Sequence, residues 1–273
     1  MNRREYLSLM TSFGACALAA SSPIAQGSVL NAIRSKSDES KLRLRILSYN
    51  IQIGREPGGS YSDPSQAHLD HTSKVVKDAE PDVVGLQEVD NMTERSGADV
   101  DQLGTIAHLT SMIPTFCPKT PLPGGMYGVG VLSHERPLSF KSVIMEGSAH
   151  PRALQMMEFE RYYFFNTHLP LKADLRLKAV QTIEREGANR LDKPIVLVGD
   201  LNAEPTSEEI QYLCKTWTKV SPDAPTFPAP APKVEIDYVF VRNAKKINVI
   251  ESRVIEDPRT SDHRPVFCEI EIE

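Results

Sequence analysis

Two polar side chains, Asp200 and Asn202, follow closely on a short apolar run, residues 195–198. The run is rich in β-branched residues and comes just after a proline, which is typical of a buried strand. Gly199 is expected to let the chain turn sharply, so that both side chains emerge at the end of that strand. A carboxylate and an amide are suited to hold a metal-activated water or a phosphate oxygen. An Asx-rich turn that merely closes a strand has the same sequence, and both interpretations stay open at this point.

Polar or ionisable side chains also lie at an end of an apolar strand in five other segments. In four of these segments they follow the strand, and in the fifth a carboxylate opens it. The segments are residues 47–50, 85–89, 166–169, 235–240 and 261–266. Each alone has a structural explanation, such as a strand-end charge, a core histidine or a turn. Together they predict one common crevice, because strand ends gather catalytic groups.

Strands and helices are interleaved along the rest of the chain. Helices are predicted over residues 65–80, 101–112, 173–190 and 207–213. Strands are predicted over residues 42–51, 83–88, 129–132, 138–145, 154–159, 162–167, 195–198, 236–241, 247–254 and 265–272. A proline-rich loop occupies residues 221–233. With no internal repeat, this pattern predicts one domain with a mixed-strand core and helices outside.

Composition limits the class of function. A chain of 273 residues with 40% apolar residues can bury a sizeable core, and its net charge is −5. No overall positive field is present to hold a nucleic-acid backbone, which disfavours a nuclease that binds long duplexes. A small or membrane-displayed phosphoester is easier to reconcile with this charge.

The N-terminal segment resembles a bacterial twin-arginine export signal. Arg3 and Arg4 precede an apolar stretch, residues 7–20, that is too short and too interrupted to span a bilayer as a mature helix. A frayed amphipathic start is the alternative. The expected organisation is an export signal at residues 1–25, a polar linker at 26–41 and a domain at 42–273. We therefore expect an exported protein, periplasmic or extracellular, with no transmembrane segment after cleavage.

Taken in order, the six segments resemble the endonuclease/exonuclease/phosphatase superfamily, which includes deoxyribonuclease I and bacterial sphingomyelinases. The resemblance covers residues 42–273. It implies an α/β fold, a four-layered sandwich in which two packed mixed β-sheets are flanked by helices. It also implies phosphoester cleavage that depends on magnesium or another hard divalent cation.

The resemblance implies a metal site at Asn50, Glu88 and Asp262. Oxygen ligands of this kind suit Mg²⁺, with Mn²⁺ or Ca²⁺ as alternatives. Zinc prefers thiolates or clustered histidines, which the segments do not supply. The alternative for Glu88 is a plain surface charge.

The resemblance also implies five catalytic residues. His263 matches a catalytic histidine, and Asp237 matches the carboxylate that orients it. Asp200 and Asn202 match the pair that positions the attacking water and the scissile phosphate, and the general base is either Asp200 or His263. His168 matches a second histidine that contacts the phosphate or protonates the leaving oxygen, with a packing role as its alternative.

Substrate recognition is less specified by the sequence. Arg152 is either a cationic phosphate contact or a structural arginine. Val129 stands where many relatives carry an asparagine, and residues 91–127 lack a basic cluster that could clamp a duplex, which argues against a DNA-repair enzyme.

The expected protein is a monomeric phosphodiesterase or phosphomonoesterase acting on a small molecule, a lipid headgroup or nucleic acid. The alternatives are an extracellular nuclease and an inactive binding module of the same fold.

Overall fold

Two six-stranded β-sheets pack face to face in the computed structural model, which describes residues 41–59, 66–147 and 149–273. The described residues lie within one compact unit, Glu39–Glu273. The predicted export signal and all but the last residue of the predicted linker lie outside the described residues. Within the described part of the chain, no helix has both the length and the apolar character needed to cross a membrane.

The first sheet, sheet A, is built from both ends of the chain. Its strands are β1 (Leu42–Asn50), β2 (Val83–Asn91), β3 (Ile113–Leu122), β4 (Gly125–Ser133), β11 (Ile247–Val254) and β12 (Val266–Ile272). Their order is β11-β12-β1-β2-β4-β3, with β1 and β2 parallel and all other neighbours antiparallel. The last strand of the chain therefore lies inside the sheet, beside β1.

The second sheet, sheet B, is formed by the middle of the chain. Its strands are β5 (Ser139–Met145), β6 (Arg152–Glu158), β7 (Tyr163–His168), β8 (Ile195–Asp200), β9 (Thr218–Lys219) and β10 (Asp237–Arg242). Their order is β5-β6-β7-β8-β10-β9, and only β7 and β8 are parallel. Each sheet thus has one parallel pair near its centre.

Helices cover the outer face of each sheet. Helices α1 (Gln66–Ala79) and α2 (Gln102–Thr110) pack apolar side chains against β1 and β2, in one buried cluster. Helices α3 (Ala173–Ala188) and α4 (Glu208–Leu213) do the same against β7 and β8. The predicted four-layered sandwich of two mixed sheets flanked by helices is confirmed.

A third apolar cluster fills the space between the sheets, and one buried polar network crosses it. Asn166 of sheet B donates hydrogen bonds from Nδ2 to the carbonyl oxygens of Leu86 and Gly130, at 3.1 and 2.9 Å. Its Oδ1 accepts a hydrogen bond from Gln87 Nε2 at 2.8 Å. Because buried polar groups are costly to leave unpaired, this network fixes the alignment of the two sheets.

Three features of the structure differ from the sequence-based expectations, of which the smallest is the unpredicted two-residue strand β9. No strand is predicted over β3, because it contains three prolines; the strand lies at the edge of sheet A, where a missing N–H is tolerated. Gly199 does not form a turn but lies within β8, with φ of +150°. A Cβ atom there would lie 2.0 Å from the Thr167 carbonyl oxygen, so the glycine allows β7 to approach closely. Asn202 has a φ of +50°, and the first turn after β8 lies at residues 205–206.

Candidate active site

The two parallel strand pairs bring most of the predicted residues to the same edge of the sandwich. Asn50 is the last residue of β1, and Glu88 lies near the end of the neighbouring strand β2. On sheet B, His168 and Asp200 end β7 and β8 and are paired with each other. Asp237 opens β10 directly opposite Asp200. Since parallel strands end on the same side, one edge collects these groups from both sheets.

A β-bulge turns Glu88 towards the site. On β2, Leu86 pairs with Gly130 and Val89 with Gly128, so that two residues oppose one at this point. Glu88 has a φ of +54°, which is unusual for a residue with a side chain. Bulges of this kind re-aim side chains next to functional sites.

Asn50 connects the two sheets at the site. Its Nδ2 donates hydrogen bonds to Asp200 Oδ2 at 3.0 Å and to Glu88 Oε1 at 3.4 Å. Its Oδ1 accepts the backbone N–H of Gln52 at 3.0 Å, which leaves one lone pair of that oxygen for another partner. Asn50 thus holds two carboxylates that belong to different sheets.

His263 and Asp237 form a buried ion pair. His263 Nδ1 lies 2.9 Å from Asp237 Oδ2, which also accepts a hydrogen bond from Thr226 Oγ1 at 2.5 Å. The ring of Phe227 packs on the imidazole, with ring centroids 4.9 Å apart. Burial opposes protonation of His263, but the charges of Asp237 and Asp200 outweigh it and raise the pKa of His263 to about 10. The imidazole therefore carries a positive charge at neutral pH.

Asp200 lies between the two histidines. Its Oδ2 is 3.5 Å from His168 Nε2 and 3.6 Å from His263 Nε2. Its Oδ1 accepts the backbone N–H of Asn202 at 2.9 Å, and Asn202 in turn is held by a hydrogen bond to the Leu169 carbonyl oxygen. Burial raises the pKa of Asp200 to about 7, against the opposing charge of His263. This carboxyl group can therefore accept or release a proton near neutral pH.

His168 and Arg152 occupy the adjoining part of sheet B. Arg152 Nη1 lies 3.5 Å from His168 Nδ1, and the strand pair β6–β7 holds both residues. Burial, together with the charges of Lys119 and Arg152, keeps the pKa of His168 well below its usual range. His168 is therefore a neutral imidazole, able to accept and donate hydrogen bonds.

The chemistry of Glu88 and Asp262 fits a hard divalent cation. Their side chains are 24% and 28% exposed, and neither forms an ion pair with a lysine or arginine within the described part of the chain. Burial raises the pKa of Asp262; the charge of His263 opposes this rise, and that of Glu88 adds to it. A bound cation would offset the repulsion between the carboxylates of Glu88 and Asp262. Carboxylate and amide oxygens are the ligands that Mg²⁺ prefers. Glu88, Asp262 and the Oδ1 of Asn50 are the groups that would hold it.

A second group of possible ligand atoms is formed by Asp200, Asp237 and His263, which lie within 4.8 Å of one another. His263 Nδ1 is already engaged by Asp237, and both carboxylates favour the protonated ring. These contacts and charges suit the group to proton transfer, and its ligand atoms are also close enough together to hold a metal ion.

Five residues near the site have no counterpart among the sequence-based predictions. Gln52 Oε1 accepts the Asp262 backbone N–H at 3.1 Å, and Thr226 holds Asp237. The other three are Arg95, Lys119 and Tyr127, with both cations packed on the tyrosine ring. Arg95 and Lys119 both come from residues 91–127, the segment expected to lack a basic cluster. Nothing in their local sequence marks them, because strand pairing brings Lys119 and Tyr127 here and a short 3-10 helix, Glu94–Ser96, carries Arg95.

The site residues open into a cavity of about 610 Å³. Its polar lining combines the predicted residues with Arg95, Tyr127 and His150, and apolar side chains complete it. The predicted residues that line the cavity are Glu88, Arg152, His168, Asp200, Asn202 and His263. Asn50 and Asp237 lie behind them, in contact through Asp200 and His263, and Asp262 adjoins His263.

Several solved structures share this fold. An endonuclease/exonuclease/phosphatase from Beutenbergia cavernae is 22% identical, with a TM-score of 0.66, over 84% of this chain and 72% of that one. A mannosyl-6-phosphatase from Bacteroides thetaiotaomicron is 18% identical, with a TM-score of 0.67, over 83% and 99%. The human nocturnin catalytic domain with a bound sulfate anion is 18% identical, with a TM-score of 0.64, over 85% and 94%. Identities this low show a common fold and nothing finer.

Sequence similarity identifies the family. No curated protein matches the chain. A family model, described as the endonuclease/exonuclease/phosphatase family, matches residues 47–263, a range that contains every predicted site residue. The chain therefore belongs to the endonuclease/exonuclease/phosphatase family, which confirms the resemblance of its six segments.

Proposed function

We propose that the protein is a divalent-metal-dependent phosphoester hydrolase that acts by in-line attack of water on phosphorus. One observation carries the proposal. Two carboxylates, Glu88 and Asp262, form no ion pair with any described lysine or arginine, and they lie beside a charged imidazole and a carboxyl group whose pKa is near neutrality. A bound Mg²⁺ would act as a Lewis acid on the phosphate oxygens. The protein side chains would supply proton transfer and orientation.

The protonation states divide the roles of Asp200 and His263. Asp237 and Asp200 hold a proton on His263, so this ring is suited to donate a hydrogen bond to a phosphate oxygen and to offset its developing charge. Asp200 is then the better candidate for the general base, because its pKa is about 7 and Asn202 orients its carboxylate. The neutral His168 and the adjoining Arg152 are assigned to phosphate contacts.

A small phosphoester is the substrate that we favour over a long nucleic acid. The cavity of about 610 Å³ can hold a phosphate with a sugar-sized or slightly larger group attached. The net charge of −5 gives no general attraction to a polyanion. The mannosyl-6-phosphatase of similar fold makes sugar phosphates reasonable first substrates to test.

Export is part of the proposal. Arg3 and Arg4, placed before the apolar stretch at residues 7–20, are the support for it. Expression of the full chain should give a shortened product outside the cytoplasm, and replacement of both arginines by lysine should retain the full-length product inside. Equal secretion of both forms would contradict a twin-arginine route.

The central test is hydrolysis of p-nitrophenyl phosphate, bis-p-nitrophenyl phosphate, sugar phosphates, plasmid DNA and RNA by the purified protein with Mg²⁺ or Mn²⁺. We expect His263→Ala to abolish turnover, because both hydrogen bonding to phosphate and the charge partner of Asp200 are lost. His108→Ala, which removes an exposed imidazole from α2, is the matched control. Full activity of His263→Ala, or activity indifferent to EDTA, would overturn the mechanism; turnover of nucleic acid alone would favour the nuclease.

A further inference from the structure

Lys119 is a buried ammonium group without a hydrogen-bond partner among the residues that the structure describes. The residue is 5% exposed, and its Nζ is fully enclosed and unpaired. A β-bulge places it there: Pro118 pairs with Gly128 and Thr120 with Tyr127, so Lys119 is the extra residue of β3. An unpaired buried charge destabilises the folded state, so its presence requires an explanation other than stability.

The charged surroundings of Lys119 all belong to the candidate site. Its ammonium lies 4.4 Å from the centre of the Tyr127 ring, which lines the cavity. Burial, with the charge of Arg152, lowers the pKa of Lys119 to about 7, while Glu88 and Asp200 act in the opposite direction. The lysine is thus next to the groups that would surround a phosphate.

Arg152 is a second cation with a free buried donor. Its Nε is enclosed and has no hydrogen-bond partner, and no carboxylate forms an ion pair with it in the described part of the chain. The third cation in this region, Arg95, is different: its Nε and Nη2 donate to the two oxygens of Asp90, at 2.7 and 2.8 Å. Two adjacent cations, Lys119 and Arg152, therefore lack the protein anion that Arg95 possesses.

We infer that Arg152, on the cavity wall, and the enclosed Lys119, which contacts the cavity-lining Tyr127, together supply the positive charge that makes the enzyme selective for phosphomonoesters. The inference rests on the proposed function. A phosphodiester group carries one negative charge and two non-bridging oxygens, whereas a monoester carries up to two charges and three such oxygens. Two unpaired cations, in addition to His263 and a bound metal, match the group with the additional charge and oxygen.

The test compares Lys119→Met with the wild type on p-nitrophenyl phosphate and bis-p-nitrophenyl phosphate. Loss of the buried positive charge beside the site should lower kcat/KM about 10- to 100-fold for the monoester but less than about threefold for the diester. Arg152→Gln should show the same selectivity, which keeps the test valid if the first variant folds poorly. Lys178→Met removes an exposed lysine of α3 and should leave both rates unchanged.

Inorganic phosphate provides a second measurement that does not require turnover. We expect its dissociation constant, measured by calorimetry with Mg²⁺ present, to rise at least about tenfold in Lys119→Met. Equal losses on both esters, or unchanged phosphate binding, would overturn the inference. If the wild type cleaves neither these two esters nor sugar phosphates, DNA or RNA, the proposed function fails, and the phosphate measurement still decides the role of Lys119.

Discussion

Replacement of Lys119 by methionine should stabilise the folded protein while it impairs the activity. The fall of the lysine pKa from 10.5 to about 7 on folding lowers the free energy of unfolding by about 5 kcal/mol at a pH where the lysine is protonated in both the folded and the unfolded protein. Relaxation around the ammonium reduces such costs, so we expect a gain of about 2–4 kcal/mol from the variant. For a domain of this size the melting temperature should rise by about 5–15 °C.

The pH dependence of this gain tests its origin. The folded-state pKa is depressed, so below about pH 7 both states carry the charge and the cost is complete. Between pH 7 and 10.5 the folded protein releases the proton first, and the cost declines. Urea unfolding at pH 6.5 and pH 9, in phosphate-free buffer with chelator, should therefore show a larger difference at pH 6.5. A variant less stable than the wild type, or a difference independent of pH, would refute the reasoning; Lys178→Met should change stability by less than about 0.5 kcal/mol.

Three further substitutions test other parts of the site and the fold. Asp237→Asn should lower the pKa of His263 from about 10 towards 6.5, which an NMR titration would follow. The same variant should reduce kcat on the order of 10²-fold or more. An unchanged His263 titration would contradict the ion pair. Glu88→Gln should weaken Mn²⁺ binding at least about tenfold, as measured by electron paramagnetic resonance. Glu160→Gln, at an exposed position, should leave the affinity unchanged. Equal Mn²⁺ affinities of Glu88→Gln and the wild type would remove Glu88 from the metal site. Gly85→Ala should lower the free energy of unfolding in urea by about 1–3 kcal/mol, because its Cβ would lie 2.3 Å from a methyl group of the facing sheet. An unchanged urea midpoint would mean that the two sheets can separate locally.

The fold could be predicted well where local pattern and tertiary role agree. Strand β8 begins with four apolar residues in a row because both of its faces are covered, and α3 shows a clear apolar face. Strand β3 could not be predicted, because its prolines oppose strand formation and only its edge position makes them acceptable. The role of Gly199 depended on the distance to β7, which no local pattern contains.

Some residues of the candidate site could likewise be predicted from the sequence, and others could not. The side chains at strand ends, such as Asp200 and His263, could be selected because strand, polar residue and order along the chain all appear in the sequence. Lys119 could not, because its burial depends on a bulge and on pairing with β4. The protonation states were also hidden, since the pKa of His263 depends on Asp237, which is 26 residues distant in sequence.

The position of β12 inside sheet A has a consequence for how the protein is made. Sheet B comes from one continuous part of the chain, whereas sheet A needs β12 between β11 and β1. A nascent chain that ends before residue 261 lacks Asp262 and His263, and it also leaves the edge of β1 unpaired. Completion of the sheet and appearance of the reactive groups therefore coincide, because both require the segment from Asp262 to Ile272. A ribosome-bound fragment stopped before that point should be unable to hydrolyse any phosphoester.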